Sequence, residues 1–442
     1  MAPDGGLPLR GGLVLAGLIS AVAVAGAAEW IVDDDGPADF QTIQEAILAA
    51  YVRSGDTLTV RPGIYRENLY LLSKDLVVRS ERGAFVTVID GGASGSVVML
   101  ENRGAATRIE GFTIRNGRDQ TGGGVWIFGG GPVVTRNIIE GNSAIGGSLG
   151  YAYGGGVEIY SSAATITYNV IRGNTALDGG AGIDVYYAGP GTPGTCCPLL
   201  DHNTIVDNVA TGAAGIGGGI LSFASAPLLR ASIVAGNRAA SGGGLAVPRV
   251  AGFNDSPTLE YDLFHANLPD NAQGASIRES NRVADPRLGP GPGIELWPRS
   301  DSPAVDYDPA AAVAADLAGR WDPVDGDYDG AARRDAGALE SPGEITGLVA
   351  ASAAAGGALL TWDGSINAAA TFNVYGLDDD PFRIGGGVCL AAGLAVTSWE
   401  DPGPPPGRVR YYLVTGRDVV EGSRGTRSDG TPRPAQPACP LP

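Results

Sequence analysis

Residues 154–176 read GGGVEIYSSAATITYNVIRGNTA. Nearly the same phrase stands at 122–144, GGGVWIFGGGPVVTRNIIEGNSA, and at 217–239, GGGILSFASAPLLRASIVAGNRA. Three glycines, two short apolar runs and two polar positions five residues apart keep returning. Aligned on the second asparagine, the repeats carry Asn116, Asn142, Asn174, Asn208, Asn237 and Asn267, in steps of 26, 32, 34, 29 and 30 residues. A period in the range of roughly 20–50 residues marks a solenoid.

The apolar positions repeat in columns as well. Val134, Ile166, Leu200, Leu229 and Leu259 form one, and Ile139, Ile171, Ile205, Val234 and Phe264 a second. After the glycines come Val125, Val157, Ile183, Ile220 and Leu245, then Ile127, Ile159, Val185, Ser222 and Val247. Each unit thus holds three short alternating runs rich in β-branched residues and separated by turn residues, a pattern of strands. Three strands per turn, stacked coil on coil at about 4.8 Å, make a parallel β-helix. An asparagine at a bend can hydrogen-bond to its counterpart in the next coil and satisfy turn backbone that would otherwise be buried unpaired. Asn137, Asn169 and Asn203, then Ser232 and Asp262, form a further polar column.

The stretch VDDDGPADFQTIQEAILAAYVRSGDTLTVRPGIYREN (32–68) resembles the start of right-handed parallel β-helix proteins of the pectin-lyase-like superfamily. The resemblance implies an early strand, a capping helix within residues 41–52 and the first coil. It spans roughly residues 29–340 and speaks for fold more than for activity, since that superfamily holds lyases, hydrolases, esterases and non-enzymes. Residues 302–340 resemble the closing segment of secreted bacterial β-helix proteins. Residues 343 to about 435, with Trp362 and the pair Tyr411-Tyr412, resemble a fibronectin type III-like sandwich. The expected organisation is a signal peptide (1–28), an all-β right-handed parallel β-helix (29–341) and a small β-sandwich with tail (342–442).

Composition narrows the function. The 442 residues carry a net charge of −18, with 70 glycines and one lysine, Lys74. Such a surface repels nucleic acid and anionic membranes. Arg10 followed by GLVLAGLISAVAVAGAA looks like a secretory signal rather than a membrane anchor. Four cysteines fit an oxidising compartment, with Cys389 and Cys439 placed to pair. The adjacent Cys196 and Cys197 are either bonded to each other or reduced. A secreted monomer is expected.

Alternation turns Val125 and Ile127 inward, so their neighbours face out. This gives an outer column of Trp126, Glu158, Asp184 and Leu221 beside another of Phe128, Tyr160, Tyr186 and Phe223. Flat aromatic faces suit sugars. Glu158 and Asp184, one coil apart, are placed as an acid and a nucleophile, since retaining glycosidases hold carboxyls about 5–5.5 Å apart. The same pair could instead hold calcium. The alternative is that the aromatics pack beneath the long insertions at 143–156 and 187–200 as a second small core. In DPVDGDYDGAARRD, Asp325, Asp327 and Asp329 before Gly330 form the front half of a calcium loop. Ala336 occupies the twelfth position, so Asp335 or Glu340 would have to close the site. His202, beside Asp201, reads as a structural turn histidine rather than half of a catalytic dyad. The expectation is recognition of extracellular polysaccharide on the aromatic and acidic face, with polysaccharide lyase or glycoside hydrolase chemistry as its extension. The rival is a non-catalytic surface or adhesion protein in which the solenoid is a rigid spacer.

Overall fold

The computed structural model describes residues 27–147, 150–188, 197–251, 256–289, 294–299, 301–309, 316–318 and 333–341, and six strands between Val349 and Arg417. Residues 29–283 form a parallel β-solenoid. Its faces are sheets of nine, nine and eight strands, with a four-stranded ladder at one corner. One coil runs through Val133–Thr135 on the first face, Ile138–Glu140 on the second, Ser143–Ala144 at the corner and Val157–Tyr160 on the third.

The strand registers reproduce the apolar columns of the sequence. Val134 pairs with Ile166, Leu200, Leu229 and Leu259 in succession. Ile139 does the same with Ile171, Ile205, Val234 and Phe264. Val125 does so with Val157, Ile183, Ile220 and Leu245. These side chains merge into one core running from Val32 to Phe264. Each fully buried Ile, Leu or Val contributes about 1.5–3 kcal/mol, so the core is the main source of stability.

Two polar ladders hold the bends. Asn142, Asn174, Asn208, Asn237 and Asn267 are each buried. The Nδ2 of each donates to the Oδ1 of the next at 2.9–3.1 Å, as does each backbone N–H. Each Nδ2 also donates to a core-strand carbonyl of the preceding coil, such as Asn174 to Ile139 O at 2.9 Å. The second ladder, Asn137, Asn169, Asn203, Ser232 and Asp262, follows the turn from first face to second. One residue before each of its members, Arg136, Tyr168, His202, Ala231 and Tyr261 all have φ between 45° and 58°. This left-handed residue makes the corner, and the ladder satisfies the backbone it turns.

The core is capped at its start by the helix Ile43–Leu48, with Thr42 as N-cap and Ile43, Ala46 and Ile47 buried. It is shorter than the expected 41–52, because the chain turns to extended geometry at Ala49, where ψ is 126°. Side chains complete its ends. Glu67 accepts from the N–H groups of Ile43 and Gln44, and Lys74 donates to the carbonyls of Ile47 and Ala49.

The closing segment returns as a strap over the outer side of the second face. Ala304, Tyr307 and Ala336 cluster with Ile233, Val206 and Leu263. Ile294, Trp297, Leu317 and Leu339 cluster with Ile138 and Val170. Backbone bonds fix it there: Gly337 N donates to Ala231 O at 2.8 Å and Ala338 N to Thr204 Oγ1 at 3.0 Å. Among the C-terminal strands, Val349–Ser352, Ala358–Thr361 and Ser398–Asp401 form one antiparallel sheet; Thr371–Asp378, Val388–Leu394 and Arg410–Arg417 form another. Trp362 and Cys439 lie outside the described residues, as do the side chains of Cys389, Tyr411 and Tyr412.

Candidate functional site

Glu158 and Asp184 stand opposite one another on adjacent strands, as their spacing predicts. Trp126 precedes them in register and Leu221 follows. The expectation that they face solvent is corrected: Glu158 is 5% exposed and Asp184 0%. The chain leading into each glycine triplet folds back over the outward side chain. A further ladder of single bridges, Tyr153 to Gly179 to Ile216 to Ser241, runs above the third face. Gly154 (φ +67°) and Gly180 (φ +56°) make that fold-back, and a Cβ on either would lie 2.6 or 2.7 Å from the Cβ of Glu158 or Asp184. Gly154, which opens a glycine triplet, and Gly180, which opens Gly-Ala-Gly, are therefore there for left-handed backbone and for close approach.

Burial is the chief influence on both carboxyls. It pushes Glu158 up to about 7, against hydrogen bonding from Thr121 and with help from the charge of Asp119. Burial and the neighbouring Glu158 raise Asp184 well above the carboxylate range. Glu158 Oε2 and both oxygens of Asp184 have no hydrogen-bond partner of normal geometry; the neutral Val185 N–H lies beside Asp184 and acts against its rise. A pair closed off in this way cannot reach a glycosidic bond. As a calcium site it falls short of the six to eight oxygens calcium takes, and among the described residues the one trio of acidic groups close enough to share an ion is Asp33, Asp34 and Asp35.

The aromatic column forms as expected, and its geometry decides what it can do. Phe128, Tyr160, Tyr186 and Phe223 are half-buried and stack ring on ring at centroid distances of 5.4, 5.3 and 5.0 Å, with interplanar angles of 25°, 28° and 13°. Trp126 stacks on Phe128 at 5.7 Å, and Tyr187 meets Tyr186 edge-on at 4.3 Å. Strand spacing and ring spacing match, so within the column each ring covers its neighbour's face. Sugars pack on free ring faces; the inner rings of this stack offer edges.

Of the calcium-loop residues, Asp325, Asp327 and Asp329 lie outside the described residues. Asp335 is buried in the strap, where its oxygens accept from the backbone N–H groups of Asp306 and Ser341. Burial pushes its carboxyl up to about 8. Cys197 is disulfide-bonded, and Cys196 lies outside the described residues.

Sequence reasoning missed the surroundings of His202. It is fully buried, with Nδ1 2.9 Å from Asp201 Oδ1 and Nε2 3.5 Å from Asp308 Oδ2. Tyr168 stacks on its ring at 5.0 Å, Arg230 reaches Asp201 at 3.0 Å, and Arg334 donates to the Tyr168 hydroxyl. Two of these partners, Asp308 and Arg334, come from the strap over 100 residues away. No local signal announces them. The cluster is a sealed clamp between coil and strap.

No curated protein sequence matches the chain. Among solved structures, a pectin methylesterase from Aspergillus niger is similar over 59% of this chain and 91% of that one, at 14% identity and a TM-score of 0.33. Pectate lyase Pel9A is similar over 72% of this chain and 97% of that one, at 12% identity and a TM-score of 0.37. Residues 86–247, which hold the glycine triplets and most of both ladders, match the family described as "Right handed beta helix region".

Proposed function

We propose that the chain is an extracytoplasmic, non-catalytic display or adhesion protein whose β-helix is a rigid spacer. The observation that carries this reading is the closure of the third face: the carboxyl pair placed for chemistry is sealed beneath backbone, and the rings beside it are stacked on one another. Stiffness has a source in two buried ladders and a strap that spans several coils. The apolar run after Arg10 and the disulfide at Cys197 support export to an oxidising compartment. The test is a panel of polysaccharides incubated with the full chain, with calcium or a chelator, read for reducing ends and for unsaturated products. No turnover is expected; product release from any glycan sinks the reading.

A second reading, polysaccharide recognition without cleavage, is favoured by one feature. The half-buried column turns the edges of Phe128, Tyr160, Tyr186 and Phe223 outward in a row along the coil axis. Binding in the same panel that is lost in a Tyr160→Ala/Tyr186→Ala variant, while the fold persists, would favour recognition over the spacer.

A further inference from the structure

We propose that Glu158 and Asp184 hold one proton between them at neutral pH, as a buried acid–carboxylate pair that ties the stability of the third face to pH. The geometry requires something of this kind. The two residues are in register on neighbouring strands, with Trp126 on one side and Leu221 on the other. Gly154 and Gly180 cover them from outside. Three of their four carboxyl oxygens lack a partner of normal geometry.

Two ionised carboxylates are acceptors only and cannot satisfy each other; one proton turns one of them into a donor. The groups that act on the pair do not supply a counter-charge. Asp119, on the corner strand Arg118–Asp119, adds negative charge beside Glu158, and Thr121 offers a neutral hydroxyl. Tyr153, in the covering chain, is a neutral phenol that feels the charges of Asp178 and Asp184. Like charges this close cannot both ionise cheaply in a dry site. The direction of both carboxyls, raised by burial and by each other, agrees.

The sign follows. Both groups titrate higher folded than unfolded, so they favour the fold fully below the ordinary carboxylate range, and that contribution is lost as pH rises through about 7. The experiment is thermal unfolding of the full chain from pH 5 to 9, comparing the unaltered protein with Glu158→Gln and Asp184→Asn. Either amide supplies the donor without a titrating proton. The unaltered chain is expected to lose several degrees of midpoint across pH 6 to 8, and each variant to lose measurably less. Infrared difference spectra at pH 6.5, unaltered chain minus variant, should show one protonated carboxyl band that either substitution removes, while the contributions of the buried Asp262 and Asp335 cancel. Equal pH slopes in all three proteins would overturn the proposal. So would a calcium-dependent rise in midpoint that is present in the unaltered chain and absent in the variants, since a metal would then replace the proton. NMR of 13C-glutamate in the unaltered chain gives an answer if both variants misfold: a glutamate titrating near 7 is expected, and all glutamates titrating near their ordinary value of about 4.3 overturns it.

Discussion

The solenoid stacks like on like in two places with opposite results. Along the inner corner, Asn142, Asn174, Asn208, Asn237 and Asn267 repeat an amide, and every member both gives and receives. Along the outer column of the third face, Glu158 repeats as Asp184, and three oxygens find no partner of normal geometry. Both columns are buried and both sit in register. The difference is chemical: an amide carries donor and acceptor, so it can pair with a copy of itself, and a carboxylate cannot. A repeat architecture therefore rewards asparagine inside and tolerates a carboxylate only where a proton or a partner of opposite sign accompanies it.

The sharpest way to break this comparison is to write the outer chemistry into the inner column. Asn174→Asp keeps shape but removes the donor that serves Ile139 O and Asn208 Oδ1 and puts a charge beside Asn208 Oδ1. Each stranded buried group costs about 1–3 kcal/mol, so a loss of about 4 kcal/mol is expected at pH 7.5. The introduced carboxyl would be raised by burial, so much of the loss should be recovered at pH 4. Denaturant midpoints at the two pH values check it.

Next in size is the glycine that shapes the covering chain. Gly180→Ala combines a left-handed residue with a Cβ 2.7 Å from the Cβ of Asp184. About 1–2 kcal/mol for the backbone and 1–3 kcal/mol for overpacking give about 3 kcal/mol. Gly141→Ala is the control: its φ is +63°, but nothing lies within 4 Å, so only the backbone cost should appear. Equal losses at the two positions would show that the close approach over Asp184 costs nothing.

These two positions also mark what the sequence could reveal. The ladder asparagines and inward columns were legible because each repeats at the same offset in every copy, and repetition is itself the physical constraint. Alternation also placed Glu158 and Tyr160 on the outer side correctly. Outer side is not solvent, however. What covers Glu158 is the chain before Gly154, and what covers Ile138 and Val170 is a strap that includes Trp297 and Leu339, more than 100 residues onward. The cover over Glu158 is local and recurs with the glycines, but alternation alone does not reveal their fold-back; the strap is non-local and leaves no period to read. The helix ends at Lys74 and Glu67, and the clamp of Asp308 and Arg334 on His202, were hidden for the same reason.

Asp262 is a natural intermediate, a carboxyl at the end of the second ladder where earlier coils use Asn or Ser. It accepts from Ser232 N at 2.9 Å and from Glu260 N at 3.2 Å, and burial holds it well above its usual range. Asp262→Asn should stabilise by at most about 1 kcal/mol at pH 8, because it removes a buried charge but turns Nδ2 toward the Glu260 N–H, and should gain nothing near pH 4, where the native carboxyl is already neutral. At the equivalent place Asn137 Nδ2 finds Thr135 O and Ile109 O, so an amide fits the corner.

The rim of the second face shows the other way to stack acids. There Asp90, Arg115, Glu140 and Arg172 occupy successive coils in register, so the sign alternates. Arg115 Nε lies 3.0 Å from Asp90, and Arg172 Nε 2.7 Å from Glu140. Here each carboxylate has its donor without sharing a proton, and the pair remains wet: the side chains of Arg172 and Glu140 are 38% and 27% exposed. Solvent screening keeps such a pair within about 0–1 kcal/mol, so Arg172→Ala should cost about 0.5 kcal/mol and lose that difference in high salt. Arg172→Glu, which restores like upon like at the rim, should cost more than the alanine and also relax with salt, because water screens at the rim what nothing screens at Glu158 and Asp184. If the rim reversal proved as costly as Asn174→Asp, burial would not be what separates the columns, and acceptor-only stacking alone would explain both.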